Sequence, residues 1–369
     1  MYNFRLLTLI LVLFGCESSV NYNLQNTKQL SFQGDNGEAY FNTDNSKVVF
    51  QSKRNNNECD KLYIVDIDGK NFSEFPLQDG AFTCAYYSLE DSYIFFSSTM
   101  HLGKECPEIY KDPNPRKYIW PLRDYEIFRY DGDEVIQLTN NPGYNAETTI
   151  HPKEQKVIFT SLRDGDINLF EMDYNGDNVV QITTEYGYDG GAFYSPEGDR
   201  IVWRAWYPST PEEKEKWKNN LTKKFIESVP LDIYVAQRDG SNKLRLTKNG
   251  ATNWAPSWHP DGKHVVFSSN MDDWREDYNA FGSNFELYMI NISSKKLTRL
   301  TNNKTFDSFP VFSKNGRKLV FSSNRDAENP RNTNIFIADF LYKWLLLRLN
   351  LNNTCIYFFF SLLFATQSQ

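Results

Sequence analysis

One strand pattern returning six times predicts an all-β fold, a six-bladed β-propeller of four-stranded antiparallel blades whose last blade is closed by an N-terminal strand. Three observations carry that prediction. The apolar residues, 40% of a 369-residue chain, come in short β-branched and aromatic runs separated by polar turns, which is how strands are written. The pattern repeats at about 44 residues in its shortest copies, the spacing of a propeller blade. The final copy also stops short of its outer strand, while a matching segment stands ahead of the first copy.

The elements follow in order. Core strands are set by the aligned runs Val48–Phe50, Ile94–Phe96, Val157–Phe159, Ile201–Trp203, Val265–Phe267 and Leu319–Phe321. Turns such as HPKEQK, SPEGDR, HPDGK and SKNGR precede them, with Pro and Gly supplying the backbone angles of a tight connection. Exits such as TSLRDGD, SSNMDD and SSNRDAE follow. A further strand then runs into an Asp/Asn-Gly turn, as in LYIVDIDG, IFRYDG, LFEMDYNG and IYVAQRDG. Short outer strands close the units in VIQLT, VVQIT, KLRLT and LTRLT. After NIFIADF the pattern ends, and Thr27–Ser31 matches the missing strand. Pairing it into the last blade removes the exposed sheet edges of an open ring.

The two ends read differently. Residues 1–15 have a basic Arg5 and an apolar stretch Leu6–Phe14, the layout of an export signal too short to span a bilayer as a mature helix. Leu13-Phe14-Gly15-Cys16 resembles the lipobox of bacterial lipoproteins, which implies lipidation at Cys16. Residues 16–26 then form a tether. Glu17, not Asp, follows the cysteine, so the expected destination is the outer membrane, with the body in the periplasm or at the cell surface. Residues 341–369 are an unmatched hydrophobic tail whose apolar stretch Cys355–Phe364 is too short to span. They are expected to be peripheral to the repeats, with a second membrane contact as the alternative.

The segments YSPEGDRIVW, HPDGKHVVFSSN and SKNGRKLVFSSNRD, each leading to a strand and an LT ending, resemble the WD-like repeats of TolB-type propellers. The resemblance covers residues 27–340. It implies an exported six-bladed propeller, commonly a protein-interaction module. Residues 17–30 are too short for the additional N-terminal domain of TolB itself.

The long insertions fall between the second and third strands of their blades: Met100–Asp124, Tyr207–Val229 and Met271–Asn284. Alternating strand directions place them all on one face. The second reads as a helix, with Thr210 as N-cap, Pro211 at the first helical position and Glu213 completing a capping box. Trp217, Leu221 and Phe225 recur every four residues along it. It either packs on the rim or covers a binding funnel.

Two constellations could carry chemistry. Six residues before each turn-leading His or Ser stand Asn145, Asp189, Asn253 and Asp307, with Glu147 nearby. Lining a channel mouth, this ring is able to hold a divalent cation or polar ligand through oxygen atoms; alternatively each Asx caps its own turn. Cys59, Cys84 and Cys106 share the insertion face with His101. Three thiolates and an imidazole suit tetrahedral zinc, whereas an oxidising compartment favours one disulfide plus one odd thiol, the pairing left open. Arg163 and Arg325 read as turn partners, and His151, His259 and His264 as structural residues of the repeats.

No GxSxG elbow, HExxH helix or Walker loop is present, so no catalytic residue is assigned. An excess of 47 acidic over 40 basic residues, net −7, argues against a nucleic-acid partner. The expectation is a monomeric, lipid-anchored propeller that binds an envelope protein or a peptidoglycan-associated partner. The alternatives are a propeller enzyme, a metal-assisted carbohydrate lyase or hydrolase using His101, or the recognition subunit of an exported peptidase.

Overall fold

Valine, isoleucine and phenylalanine in unbroken threes cannot serve a strand with one wet face, because alternate side chains point to opposite sides of a sheet. The second strands of the repeats therefore need cover on both faces, and stacking blades around an axis supplies it. In the computed structural model, which describes residues 21–113, 119–273, 284–327, 329, 332–343, 349–351 and 354–356, Val48, Val49, Phe50, Val157, Ile158, Phe159, Ile201, Val202 and Trp203 are wholly buried.

Blade 1 comprises Asp35–Phe41, Lys47–Lys53, Lys61–Asp66 and Ser73–Glu74. Blade 2 comprises Phe82–Tyr87, Ile94–Ser98, Glu126–Tyr130 and Val135–Gln137, and blade 3 Asn145–Ile150, Lys156–Ser161, Asn168–Asp173 and Val180–Gln181. Blade 4 holds Tyr188–Tyr194, Arg200–Trp206, Asp232–Gln237 and Leu244–Arg245; blade 5 holds Asn253–Trp258, His264–Ser269, Glu286–Asn291 and Leu297–Arg299. In blade 6, Asp307–Phe312, Lys318–Ser323 and Asn334–Lys343 are joined by Asn21–Gln29 as the outer strand. The closure expected from Thr27–Ser31 is therefore present, with the strand starting earlier and ending at Gln29. Leu24–Phe340 forms one body; Leu349–Leu351 and Thr354–Ile356, outside it, pair as a small hairpin.

Each blade carries an aromatic pair between its second and third strands, in blade 1 Phe50 and Tyr63, tilted at 6.1 Å. Phe96 with Phe128, Phe159 with Phe170, Trp203 with Tyr234, Phe267 with Tyr288 and Phe321 with Phe336 stack at 5.7 to 6.0 Å. The seams between blades are also repeated. The backbone N–H of Asn36, Phe82, Asn145, Asp189, Asn253 and Asp307 donates in turn to the carbonyl of Thr333, Asp60, Tyr125, Ile167, Leu231 and Phe285 in the preceding blade.

Every first strand breaks register at the same point. The bulged residues are Glu38, Cys84, Glu147, Gly191, Ala255 and Phe309, all with φ between 47° and 61°. Five of the six are not glycine, although this region costs an L residue about 1–3 kcal/mol. Six-fold recurrence of a costly kink points to a geometric need: the bulge turns one residue per blade towards the axis.

Candidate functional site

The Asx column predicted to ring the channel mouth is sunk into the seams. Asn145 accepts from Ser161 Oγ at 2.7 Å and donates to Asn141 O at 3.1 Å. Asn253 accepts from Ser269 Oγ at 2.9 Å and donates to Leu231 O at 2.7 Å. Asp307 takes both oxygens' bonds from Arg325 Nη2 at 2.7 and 2.8 Å, and Asp189 accepts from Trp203 Nε1 and Tyr207 OH at 2.6 Å each. Arg163 and Arg325 repeat one arrangement, each bonded to the serine two residues earlier and lying about 5 Å from its blade's aromatic pair. The column thus anchors strand exits, and the axis is lined two residues further on, where only Glu147 belongs to the predicted set.

Four groups meet in that channel. Arg204 crosses from blade 4 to pair with Glu147, which also accepts from Thr160 Oγ1 at 2.6 Å and from Gly191 N at 2.8 Å. A Cβ on Gly191 would collide with the Arg204 guanidinium, so glycine is required here for the crossing. Glu38 accepts from the Cys84 thiol at 2.9 Å. Burial pushes the Glu38 carboxyl up to about 7, with Glu147 adding to the shift and the Cys84 bond and Arg204 opposing it. Burial likewise raises the Cys84 thiol and the hydroxyls of Tyr144 and Tyr188. Arg204 Nε and Thr148 Oγ1 are buried without a hydrogen-bond partner.

Aromatic rings flank the chamber on both sides along the axis. Towards the turns between first and second strands, Tyr40, Tyr86 and Phe193 pack together at 5.1 to 6.2 Å. On the insertion side, Trp254 lies 4.0 Å and Trp120 5.2 Å from the guanidinium carbon of Arg204, distances at which an aromatic face holds a cation.

Trp120 arrives there by the joining of two insertions. Ile119–Pro121 of blade 2 pairs antiparallel with Phe225–Glu227 of blade 4, Trp120 opposite Ile226. The helix Pro211–Thr222 carries the full Thr210/Glu213 capping box. It stops short of Phe225, because Lys224 takes φ 57° and turns the chain into the strand; Phe225 then stacks on Tyr110 at 4.6 Å. Trp217 is buried and donates to Asp166 Oδ1 at 2.8 Å, which fixes the helix to the rim. Most of the third insertion lies outside the described residues, as does Cys16.

Cys59 and Cys106 form a disulfide with Cα atoms 5.9 Å apart, tying the blade 2 insertion to blade 1, and Cys84 is free. His101 is exposed, its ring 6.3 Å from that of Phe128. Among the described residues no cluster of His, Cys, Asp and Glu is arranged to hold a metal. Arg204, Glu38 and the two tryptophans escaped the sequence reading. A signal existed for the first: Gln51, Ser97, Thr160, Ser268 and Ser322 occupy its position in the other blades, so one strand alone places a cation where the rest place small or neutral groups.

No family model matches the chain. Over 115 residues, 30% of this chain, it is 32% identical to the Tol-Pal system protein TolB of Francisella tularensis subsp. holarctica (strain OSU18); the stretch spans 23% of that protein. It is 25% identical over 121 residues to the uncharacterized protein Atu1656 of Agrobacterium fabrum, covering 33% of this chain and 35% of the other. Among solved structures, one assigned to TolB from Agrobacterium tumefaciens superposes over 88% of this chain and 99% of its own, with TM-score 0.55 and 15% identity. TolB from Acinetobacter baumannii gives 0.50 at 17% identity, over 84% and 64%. These structures share the fold. The chain is a six-bladed β-propeller. Over the matched 115 residues its sequence is similar to that of TolB.

Proposed function

We propose that this chain is exported, is held at the outer membrane through Cys16, and works as a monomeric binding scaffold for another envelope protein or a peptidoglycan-associated partner. The observation that carries the reading is the joining of insertions from blades 2 and 4 into one built surface on a single face. Irregular, ordered loops on a rigid frame are where such folds keep their binding residues. The stretch shared with a Tol-Pal system protein supports an envelope partner.

Photo-crosslinking in cells tests it. A photoreactive residue at exposed Leu102 or Lys218, on the insertions, is expected to give protein adducts in the envelope fraction. The same residue at exposed Lys70 or Ser293, on the opposite turns, is expected to give none. Adducts from the second pair alone would overturn the reading.

A further inference from the structure

We infer that the axial channel binds water as a fixed part of its structure, gripped by Arg204 Nε and Thr148 Oγ1, and that this water keeps the arginine in place beneath the roof. Two departures from the repeat meet there. The residues directly after the six bulges are Ala39, Ala85, Thr148, Ala192, Pro256 and Pro310, so blade 3 alone puts a hydrogen-bonding side chain at that position. Arg204 is the corresponding exception among the second strands, the one cation in its column. Both line a single cavity of about 30 Å³, together with Glu38, Cys84 and Glu147. Arg204 is 4% and Thr148 1% exposed, and each has one polar atom that is buried and bonded to nothing in the protein. Leaving such an atom unbonded is costly. Two separate exceptions to the repeat, each with bonding capacity to spare and both on one cavity, mark a built site.

Size and charge select the occupant. One water needs about 10–15 Å³ of such space and two to four polar partners; the cavity has room for more than one and offers an N–H, a hydroxyl and the Glu38 carboxyl. A drug-sized organic ligand takes about 300–1,000 Å³. A charged occupant is disfavoured as well. Arg204 and Glu147 cancel one another, and burial keeps the Glu38 carboxyl protonated up to about 7. An added anion would face Glu147 and an added cation Arg204, and a buried charge without a counter-charge is expensive. Glu147 already holds the guanidinium at Nη2. A second bond, at Nε, fixes the plane of the group and thus the face it presents to Trp254, 4.0 Å away, and to Trp120.

Thr148→Val, which keeps the shape of the side chain and removes its hydroxyl, provides the test, with Thr148→Ser as the conservative variant. Crystals of the full-length protein that order solvent are expected to show water within about 2.7–3.2 Å of both Arg204 Nε and Thr148 Oγ1, and Thr148→Val to lose at least one such molecule. No density there, or density of an ion, would overturn the inference. In solution the urea midpoint is expected to fall in Thr148→Val and to recover in Thr148→Ser. A midpoint raised by valine would show a hydroxyl with no partner and would also overturn it. Amide exchange at Trp120 and Ile226 is expected to be several-fold faster in the valine variant and unchanged in the seams between blades. Unaltered exchange at those two residues would refute the hold on the roof.

Discussion

The seams of the ring and its roofed channel are built on opposite terms. At the seams one set of bonds is used over and over: a backbone N–H to the preceding blade, an Asx side chain, a serine, and in blades 1, 3 and 6 an arginine over an aromatic pair. In the channel the six bulges hold two glutamates, a cysteine, a glycine, an alanine and a phenylalanine, and the roof joins two insertions to Trp254 of blade 5. Redundancy makes the seams tolerant, since one lost bond leaves equivalents around the ring. The channel has a single cation against a single buried carboxylate partner, with no second copy to take the load.

That contrast ranks the expected effects. Arg204→Ala, which strands Glu147 in the interior, is expected to lower stability by about 3–5 kcal/mol in urea unfolding. A loss smaller than that of a seam substitution would break the comparison. The same chamber is legible in pH. Glu38 is raised from 4.5 to about 7 in the folded chain, so the native state binds the proton more tightly than the unfolded one. Its contribution is greatest below pH 4.5 and is lost as pH rises towards 7. Glu38→Gln should remove that slope, so that the difference in stability between variant and wild type changes between pH 4.5 and 7; a difference constant with pH would place Glu38 in water.

Replacing Cys59 and Cys106 together by serine is expected to cost about 2–4 kcal/mol. Amide exchange should rise at Ile119–Pro121 and Phe225–Glu227 and stay unchanged in the seams. Asp307→Ala, a seam position, is expected to cost about 2 kcal/mol, measured the same way. The smallest effect belongs to Thr210→Ala, about 1 kcal/mol from loss of the cap, with local exchange in the helix as the readout.

The same division explains what could be read without coordinates. Val157–Phe159 and its counterparts announce blade cores because burial on both sides permits no polar alternation, and the DG and NG turns fix where strands reverse. Copies at equivalent positions reinforce one another, so the ring and its closing strand emerge from alignment alone. The channel had no such help. Asn145 and Asp307 look like ligands because they are polar and aligned, yet alignment is the mark of the seam. The bulge shifts the axis-facing position by two residues, which no spacing rule reveals. Trp120 meets Arg204 only because Ile226, over a hundred residues on, pairs with it. Long-range pairing between two irregular insertions leaves no periodic trace.

The closing strand has a consequence for how the molecule comes into being. Asn26 and Asp339, bonded across blade 6, are 313 residues apart, so the ring shuts only after nearly all of the chain is available. Contacts this distant in sequence make folding slow. Until they form, blade 6 lacks its outer strand and the third strand keeps an open edge. Blade 6 is thus the last of the six to complete its four strands, and the ring gains its closing bonds only then.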